Sequence, residues 1–380
     1  MGLINMPMTR RELLNAGAIT LPVALASPSL FASNSTTSMY ETGIIIDGLG
    51  GPGGLSVEPD SPLSDLEIEH VRKSGLTAVH ITVGTVGTME SLEAFEKIVR
   101  SITRWEIEID AHVGEMASIR TVADLKSAKA DGKMGLIYGL QDGVSFEDDL
   151  GRLDALHQLG IRVIQPTYNR RNLLGDGCME PADAGMSRVG IECIERLNSL
   201  GILVDLSHCG RQTAADGIAA SIRPVSFTHT GCDALAEHPR HRTDAELRAV
   251  AETGGVSGIY VMPYLAKGKQ PTANDVIQHI EHAINVAGED HVSVGTDGNI
   301  SPVELTEDYV DGFGKSVRER ARLGIAAPYE TETGYLFASD LNTPRRFETL
   351  AQLLMDRGHS ETRVSKVLGL NLMRLFGDTW

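Results

Sequence analysis

Two histidines stand at equivalent places in successive short apolar runs. His208 closes Val204-Asp205-Leu206-Ser207-His208, and His229 closes Pro224-Val225-Ser226-Phe227-Thr228-His229. Adjacent strands of a sheet lie about 4.8 Å apart, so imidazoles at matching levels on two such strands can share one cation. Neutral imidazole suits Zn²⁺ and similar borderline ions. A lone histidine at a strand end is ordinarily a hydrogen-bonded structural residue, whereas a matched pair favours a metal or catalytic role. Asp297, in Val294-Gly295-Thr296-Asp297-Gly298, is placed to act as a ligand, as a general base on water, or as a cap on the loop that follows. Gln141, in Gly139-Leu140-Gln141-Asp142-Gly143, ends an earlier run. Arg240, in His238-Pro239-Arg240-His241, has a fork that matches a substrate carboxylate, although an isolated loop arginine is more often a surface residue.

These residues need a scaffold that brings strand ends to one place. Strands are predicted at 43–47, 77–83, 134–141, 161–167, 202–207, 225–229, 255–260 and 292–297. Most are rich in Ile and Val and continuous rather than alternating, the pattern of parallel strands buried on both faces. Eight of them, separated by helix-length segments, favour an α/β fold of the (β/α)8 TIM-barrel type over a doubly wound sheet. In such a barrel the C-terminal strand ends share one mouth. The stretch 105–113 could pass as a ninth strand. Phe95, Ile98, Ile102, Trp105, Ile109, Val113 and Met116 recur every three or four residues, however, so it is read as a helix continuing from Ser91. Residues 301–340 show no strand and read as an insertion at the mouth or side of the barrel. Two amphipathic helices are expected between 343 and 376.

The chain has 380 residues and a formal net charge of -17. Its length and 40 glycines suit a barrel with many tight turns. The acidic balance argues against nucleic-acid binding, which needs clustered Lys and Arg. Cys178, Cys193, Cys209 and Cys232 show no CxxC spacing, so neither a zinc ribbon nor a disulfide framework is read. Thr9-Arg10-Arg11-Glu12-Leu13-Leu14, an apolar stretch from Ala16 to Ala26 and small residues beyond it look like a twin-arginine export signal. Cleavage after Ala26 or Ala32 would leave a single barrel domain, 33–380, in the periplasm without a membrane anchor, the apolar run being too short to span a bilayer.

Asp205-Leu206-Ser207-His208 followed by Pro224-Val225-Ser226-Phe227-Thr228-His229 resembles the two histidine segments of the membrane (renal-type) dipeptidases, peptidase family M19. Thr167-Tyr168-Asn169-Arg170-Arg171-Asn172 is similar to the family's loop after the fourth strand. His238-Pro239-Arg240 resembles its substrate-carboxylate segment, Val294-Gly295-Thr296-Asp297 its last strand, and Gly369-Leu370-Asn371-Leu372-Met373-Arg374-Leu375-Phe376 its closing motif. These matches keep the family's order across nearly the whole mature chain. The resemblance implies a barrel of the metal-dependent hydrolase type acting on a dipeptide or related small amide, and a homodimer. It places His208 and His229 on zinc, Asp297 and Gln141 in catalysis, and Arg240, Tyr168 and Asn169 at the substrate.

The same resemblance exposes departures. Family members hold two zinc ions, one of them on a His and an Asp of an opening Asp-Gly-His-x-Asp motif and on a bridging Glu. Here that motif reads Asp47-Gly48-Leu49-Gly50-Gly51, the bridging position is Gln141, and Pro166 stands at the place of a further catalytic histidine. An amide offers a carbonyl oxygen without charge, and Leu and Gly offer no side-chain donor. The first metal position is therefore expected to be lost. One zinc would remain on His208 and His229, with Gln141, Asp297 and water as the other donors. Three functions stay open: a mononuclear metallohydrolase, a metal-free acid–base enzyme such as a lyase, isomerase or maturation factor, and a binding protein without catalysis.

Overall fold

The computed structural model describes residues 36–53, 61–84, 86–87, 89–324 and 326–380. The export signal and its cleavage positions lie outside the described residues. No helix among the described residues is long and apolar enough to cross a membrane.

After a helix over 36–42, α1, parallel strands alternate with helices. One sheet runs β1 (Ile46–Asp47), β3 (Ala78–Thr82), β5 (Met134–Leu140), β6 (Ile161–Ile164) and β7 (Leu203–Val204). A second runs β8 (Ser226–Thr230), β9 (Val256–Ile259) and β10 (Val292–Val294). All these pairings are parallel. Two seams close the arcs into one ring. Asp205 bridges to Ser226, with Leu206 N donating to Ser226 O at 2.8 Å. Gly48 N donates to Val294 O at 2.9 Å, and Asp297 N donates to Leu49 O at 2.8 Å. The short pair β2 (Gly50–Gly51) and β11 (Gly298–Asn299) extends the second seam above the ring. The fold is thus a (β/α)8 barrel. Every residue of β5 is buried, as continuous apolar runs in a barrel wall require.

The segment read as a helix from Ser91 is α3 (Ser91–Ala111), and it ends sooner than the apolar stripe suggests. Met116 begins a ninth parallel strand, β4 (Met116–Ser118), outside the ring. It pairs with the first half of β5, on the edge whose second half takes β6. A turn after His112 reverses the chain, and Met116, 1% exposed, is buried by the strand pairing and not by the helix face.

At the C-terminus, α11 (Arg346–Asp356) is followed by α12 (Glu361–Ser365) and α13 (Asn371–Thr379), joined by a wide turn at Lys366–Leu370, where two helices were expected. Gly369 sits in that turn against β1, where an added Cβ would lie 2.2 Å from Ile44 O. Leu372, Leu375 and Phe376 pack on Ile46, Ala78, Ile137, Val163, Leu203 and Val256, plugging the N-terminal end of the barrel. That leaves the opposite end for chemistry. The insertion folds there as α10 (Glu307–Arg322) and the turns after it.

Candidate functional site

The ends of β7 and β8 are stapled by one buried carboxylate. Asp205 Oδ1 accepts from Ser207 N at 3.0 Å, Ser207 Oγ at 2.5 Å and Thr228 N at 3.0 Å, and Oδ2 accepts from Thr228 Oγ1 at 2.5 Å. The register of the two strand ends is thereby fixed, and with it the histidine that follows on each.

His208 and His229 face each other with Nε2 atoms 3.0 Å apart, and they are 3% and 0% exposed. Their far nitrogens set the tautomers. His208 Nδ1 donates to Asn169 Oδ1 at 2.7 Å. Thr228 Oγ1 directs its O–H to Asp205, so its lone pair accepts from His229 Nδ1 at 2.8 Å. Each ring then carries its proton on Nδ1, and both Nε2 lone pairs converge on one point. Burial, reinforced by Arg240, pushes both imidazoles well below their ordinary pKa, so they stay neutral. Neutral rings with converging lone pairs are what a borderline cation needs. Among the described residues, no group of three or more His, Cys, Asp or Glu side chains is arranged to hold a metal ion.

Of the other sequence-predicted residues, Tyr168, Asn169 and Arg240 touch this pair. Tyr168 stacks on His208, with ring centroids 4.1 Å apart and planes at 26°. Asn169, expected at the substrate, is 1% exposed and is the ring partner of His208 through Oδ1. Gln141 donates from Nε2 to Thr82 Oγ1 at 2.8 Å, which leaves its carbonyl as the only donor it can offer a cation. Asp297 sits at φ 55°, in the left-handed region where Asp and Asn are better tolerated than most residues. Burial raises its carboxyl to about 6, while Arg240 and Arg320 pull it down. Arg240 is 2% exposed, and its two terminal nitrogens donate to Ser207 O and, at 3.1 Å, to His229 O. These two bonds use two of the five guanidinium N–H donors.

The opening motif departs as its sequence suggests. Leu49 is 2% exposed, and Gly51 offers only backbone. Asp47 is turned into the seam, accepting from Thr296 N at 2.8 Å and Thr296 Oγ1 at 2.6 Å, and burial raises it to about 7.

A family model described as membrane dipeptidase (peptidase family M19) matches residues 45–309. The chain belongs to the membrane dipeptidase family. Dipeptidase verJ of Clonostachys rogersoniana is 27% identical over 269 residues, which make up 70% of this chain and 61% of that protein. An uncharacterized dipeptidase of Schizosaccharomyces pombe is 33% identical over 174 residues, 44% of this chain and 42% of its own. The chain thus spans less than two thirds of either relative. Among solved structures, an amidohydrolase from Pseudomonas aeruginosa superposes with a TM-score of 0.77 at 32% identity, covering 91% of this chain and 99% of that one. A metallo peptidase from Rhodobacter sphaeroides, liganded with a phosphinate mimic of the dipeptide L-Ala-D-Ala, shares the fold at 18% identity and TM-score 0.71, covering 89% and 99%.

For a membrane dipeptidase family member, the residues that sequence reasoning passed over are as informative as those it found. Asp205 and Thr228 lay inside the quoted motifs, but their relay to His229 is a contact across two strands. His80, mid-strand in β3, points into the barrel with Nδ1 donating to Gly48 O at 2.7 Å. Its Nε2 faces Gly139, where an added Cβ would come within 2.0 Å, so only glycine fits. Arg320 comes from the insertion, whose sequence shows no pattern that assigns it to the site. It pairs with Glu330 at 2.5 Å and is hydrogen-bonded to Tyr168.

Proposed function

We propose that this protein is a metal-dependent hydrolase of a dipeptide or related small amide, working with one zinc ion on His208 and His229. The observation that carries the reading is the convergence of the two Nε2 lone pairs at 3.0 Å, each ring locked by a partner on its far nitrogen. The donor set fits one ion and does not fit two, because Leu49 and Gly51 replace side-chain ligands and Gln141 brings no charge. When bound, such an ion polarises a carbonyl and makes water a nucleophile near neutral pH. The chain's own residues do the rest. Asp297, poised at about 6, accepts the proton from water and can return it to the leaving amine. Arg240 and Arg242 both grip the Ser207 carbonyl, at the end of the strand that carries His208, which fixes the geometry the histidines need.

The reading includes export, supported by the twin-arginine pattern at Arg10-Arg11, and a homodimer, supported by the family resemblance. A metal-free acid–base enzyme is the competing reading, favoured by the lack of a third His, Cys, Asp or Glu ligand among the described residues. Metal analysis of protein purified without chelator separates them. About one zinc per chain, and cleavage of L-L or L-D dipeptides lost in His208→Ala and His229→Ala, is the expected result. Protein that takes up no zinc on reconstitution would overturn the proposal.

A further inference from the structure

A second cavity, of about 270 Å³, lies on the other side of the barrel from the histidine pair. Arg162 stands at the start of β6 and Leu200 just before β7, whereas His208 lies beyond the end of β7. Its polar wall is Arg120, His157 and Arg162, and its apolar wall is Val122, Leu200 and Trp380. Arg162 is fixed in place by its main-chain bonds, from Nε to Arg120 O at 2.8 Å and from Nη1 to His157 O at 2.9 Å and Ile161 O at 2.8 Å. Arg120 makes one long bond, from Nη1 to Gln158 O at 3.5 Å. Among the described residues neither arginine is in an ion pair. Asp124, whose charge reaches Arg162, turns Oδ2 to the main-chain N–H groups of Arg120 and Thr121, at 3.0 and 2.8 Å. Burial and then the charge of Arg120 hold Arg162 below its ordinary pKa, and burial and then Arg162 do the same to His157. Trp380 stacks on Phe376 with ring planes at 7°, and its indole Nε1 is buried without a hydrogen-bond partner. A buried donor is ordinarily satisfied, so this one marks a place for an acceptor.

We propose that this cavity binds a small organic anion, a carboxylate on an apolar body, with Arg120 and Arg162 on the carboxylate and Val122, Leu200 and Trp380 around the body. In a chain of net charge -17, two unpaired guanidiniums facing one cavity are a local excess of positive charge that an anion offsets. The planar fork of arginine matches a carboxylate, and partial burial strengthens the contact. An inorganic anion would leave the apolar wall uncovered, whereas an organic one meets both walls. The proposal does not depend on the hydrolase reading.

The chain has two tryptophans, so Trp105→Phe leaves Trp380 as the single indole and makes its fluorescence a reporter of this cavity. The test titrates that protein with phenylacetate and with hexanoate, each beside its neutral amide. At least one acid should bind saturably, and about tenfold or more tightly than its amide. Inorganic phosphate should compete at least about tenfold more weakly than that acid, because it covers no apolar surface. Arg120→Met gives up only the long bond to Gln158, so it should fold and should bind acid and amide alike. Gly377→Leu blocks the cavity from the facing wall. Among the described residues an added Cβ at Gly377, itself in the lining, meets only Val122 Cγ2 within 4 Å, at 3.9 Å, so the side chain is accommodated and should abolish binding. Thermal melts of both variants separate loss of binding from loss of fold, and the comparison of acid with amide needs neither variant. No response of Trp380 to either acid overturns the proposal, as do equal binding of acid and amide and a preference that survives in Arg120→Met. Phosphate that competes as strongly as the acids overturns the assignment of an organic ligand.

Discussion

Thr228 stands between Asp205 and His229, donating to the carboxylate at 2.5 Å and accepting from the imidazole Nδ1 at 2.8 Å. A ligating histidine commonly gives its second N–H to a carboxylate; here a hydroxyl relays that contact and passes on its orientation and basicity. Thr228→Val keeps the shape and removes both bonds. It should weaken zinc binding by about 10–100-fold, read by competition with a chromophoric chelator, while His208 keeps its own partner, Asn169. Unchanged affinity would mean that the relay does not tune His229.

The proposed catalytic role of Asp297 can be tested without disturbing the backbone. Asparagine tolerates the φ of 55° found at Asp297, so Asp297→Asn should fold normally and lose about 10²–10⁴-fold in kcat. In the wild type the rate should fall as pH drops through about 6, where Asp297 takes up a proton, and Asp297→Asn should lack that limb. Arg320→Met should move the limb upward, since the cation that favours the ionised form is gone. A pH profile that is flat between 5 and 8 (a range of about three units around neutrality) would exclude Asp297 as the base.

Stability in the absence of metal should decline with acid. His80, His208, His229 and His241 are held below their ordinary pKa by burial, and His238 and His279 are lowered to about 4. Unfolding below about pH 6.5 lets these six take up protons that the folded chain refuses, so stability is lost as pH falls through that value. Asp47, Asp142 and Asp297, raised to about 7, 6 and 6, act with the opposite sign in the same window. His157, also lowered by burial, joins the histidines, and Glu147, also raised by burial, joins the carboxyls, so seven groups against four leave net proton uptake on unfolding. The denaturation midpoint should therefore be lower at pH 5.5 than at pH 7.5 (a span of about two units), and a higher midpoint at the acidic end would reverse the sign.

The barrel was legible because its walls are buried on both sides, which writes continuous Ile and Val runs into the sequence at each strand. The histidine pair was legible for a related reason: both residues stand at or just beyond the C-terminal ends of neighbouring strands and so share one mouth. β4 was missed because Met116 falls in phase with the stripe of α3, and periodicity does not report where a helix stops. Asn169 is expected at the substrate because its loop matches a motif; its contact with the ring of His208 is set by packing between loop and strand end, which the sequence does not display. Arg320 lay beyond sequence reasoning altogether. Its role depends on α10 folding back over the mouth, and neither charge nor spacing along the chain encodes that return.

If the first metal position lacks only donors, as the one-zinc proposal holds, it can be rebuilt. Among the described residues, an added Cβ at Gly51 meets only Asn299 Oδ1 within 4 Å, at 3.3 Å, so on that side Gly51→Asp has room to enter. Gln141→Glu exchanges the amide that donates to Thr82 for a carboxylate, to which the Thr82 hydroxyl can donate in turn. Leu49→His places an imidazole where a buried leucine now fills the space, a polar group that is tolerable only once it has a partner. The triple variant should bind about two zinc ions per chain where the wild type binds about one, because two doubly charged ions need anionic oxygens between and around them. Leu49→His alone should gain no metal and lose stability. Gly50→Asp is the control for position: its Cβ would fall 2.6 Å from Asp47 Oδ2 and 2.9 Å from Gly298 O, so it should unfold the seam between β2 and β11 without adding a ligand. A folded triple variant that still binds a single ion would show that the backbone of the opening motif, and not its side chains, has closed the first position.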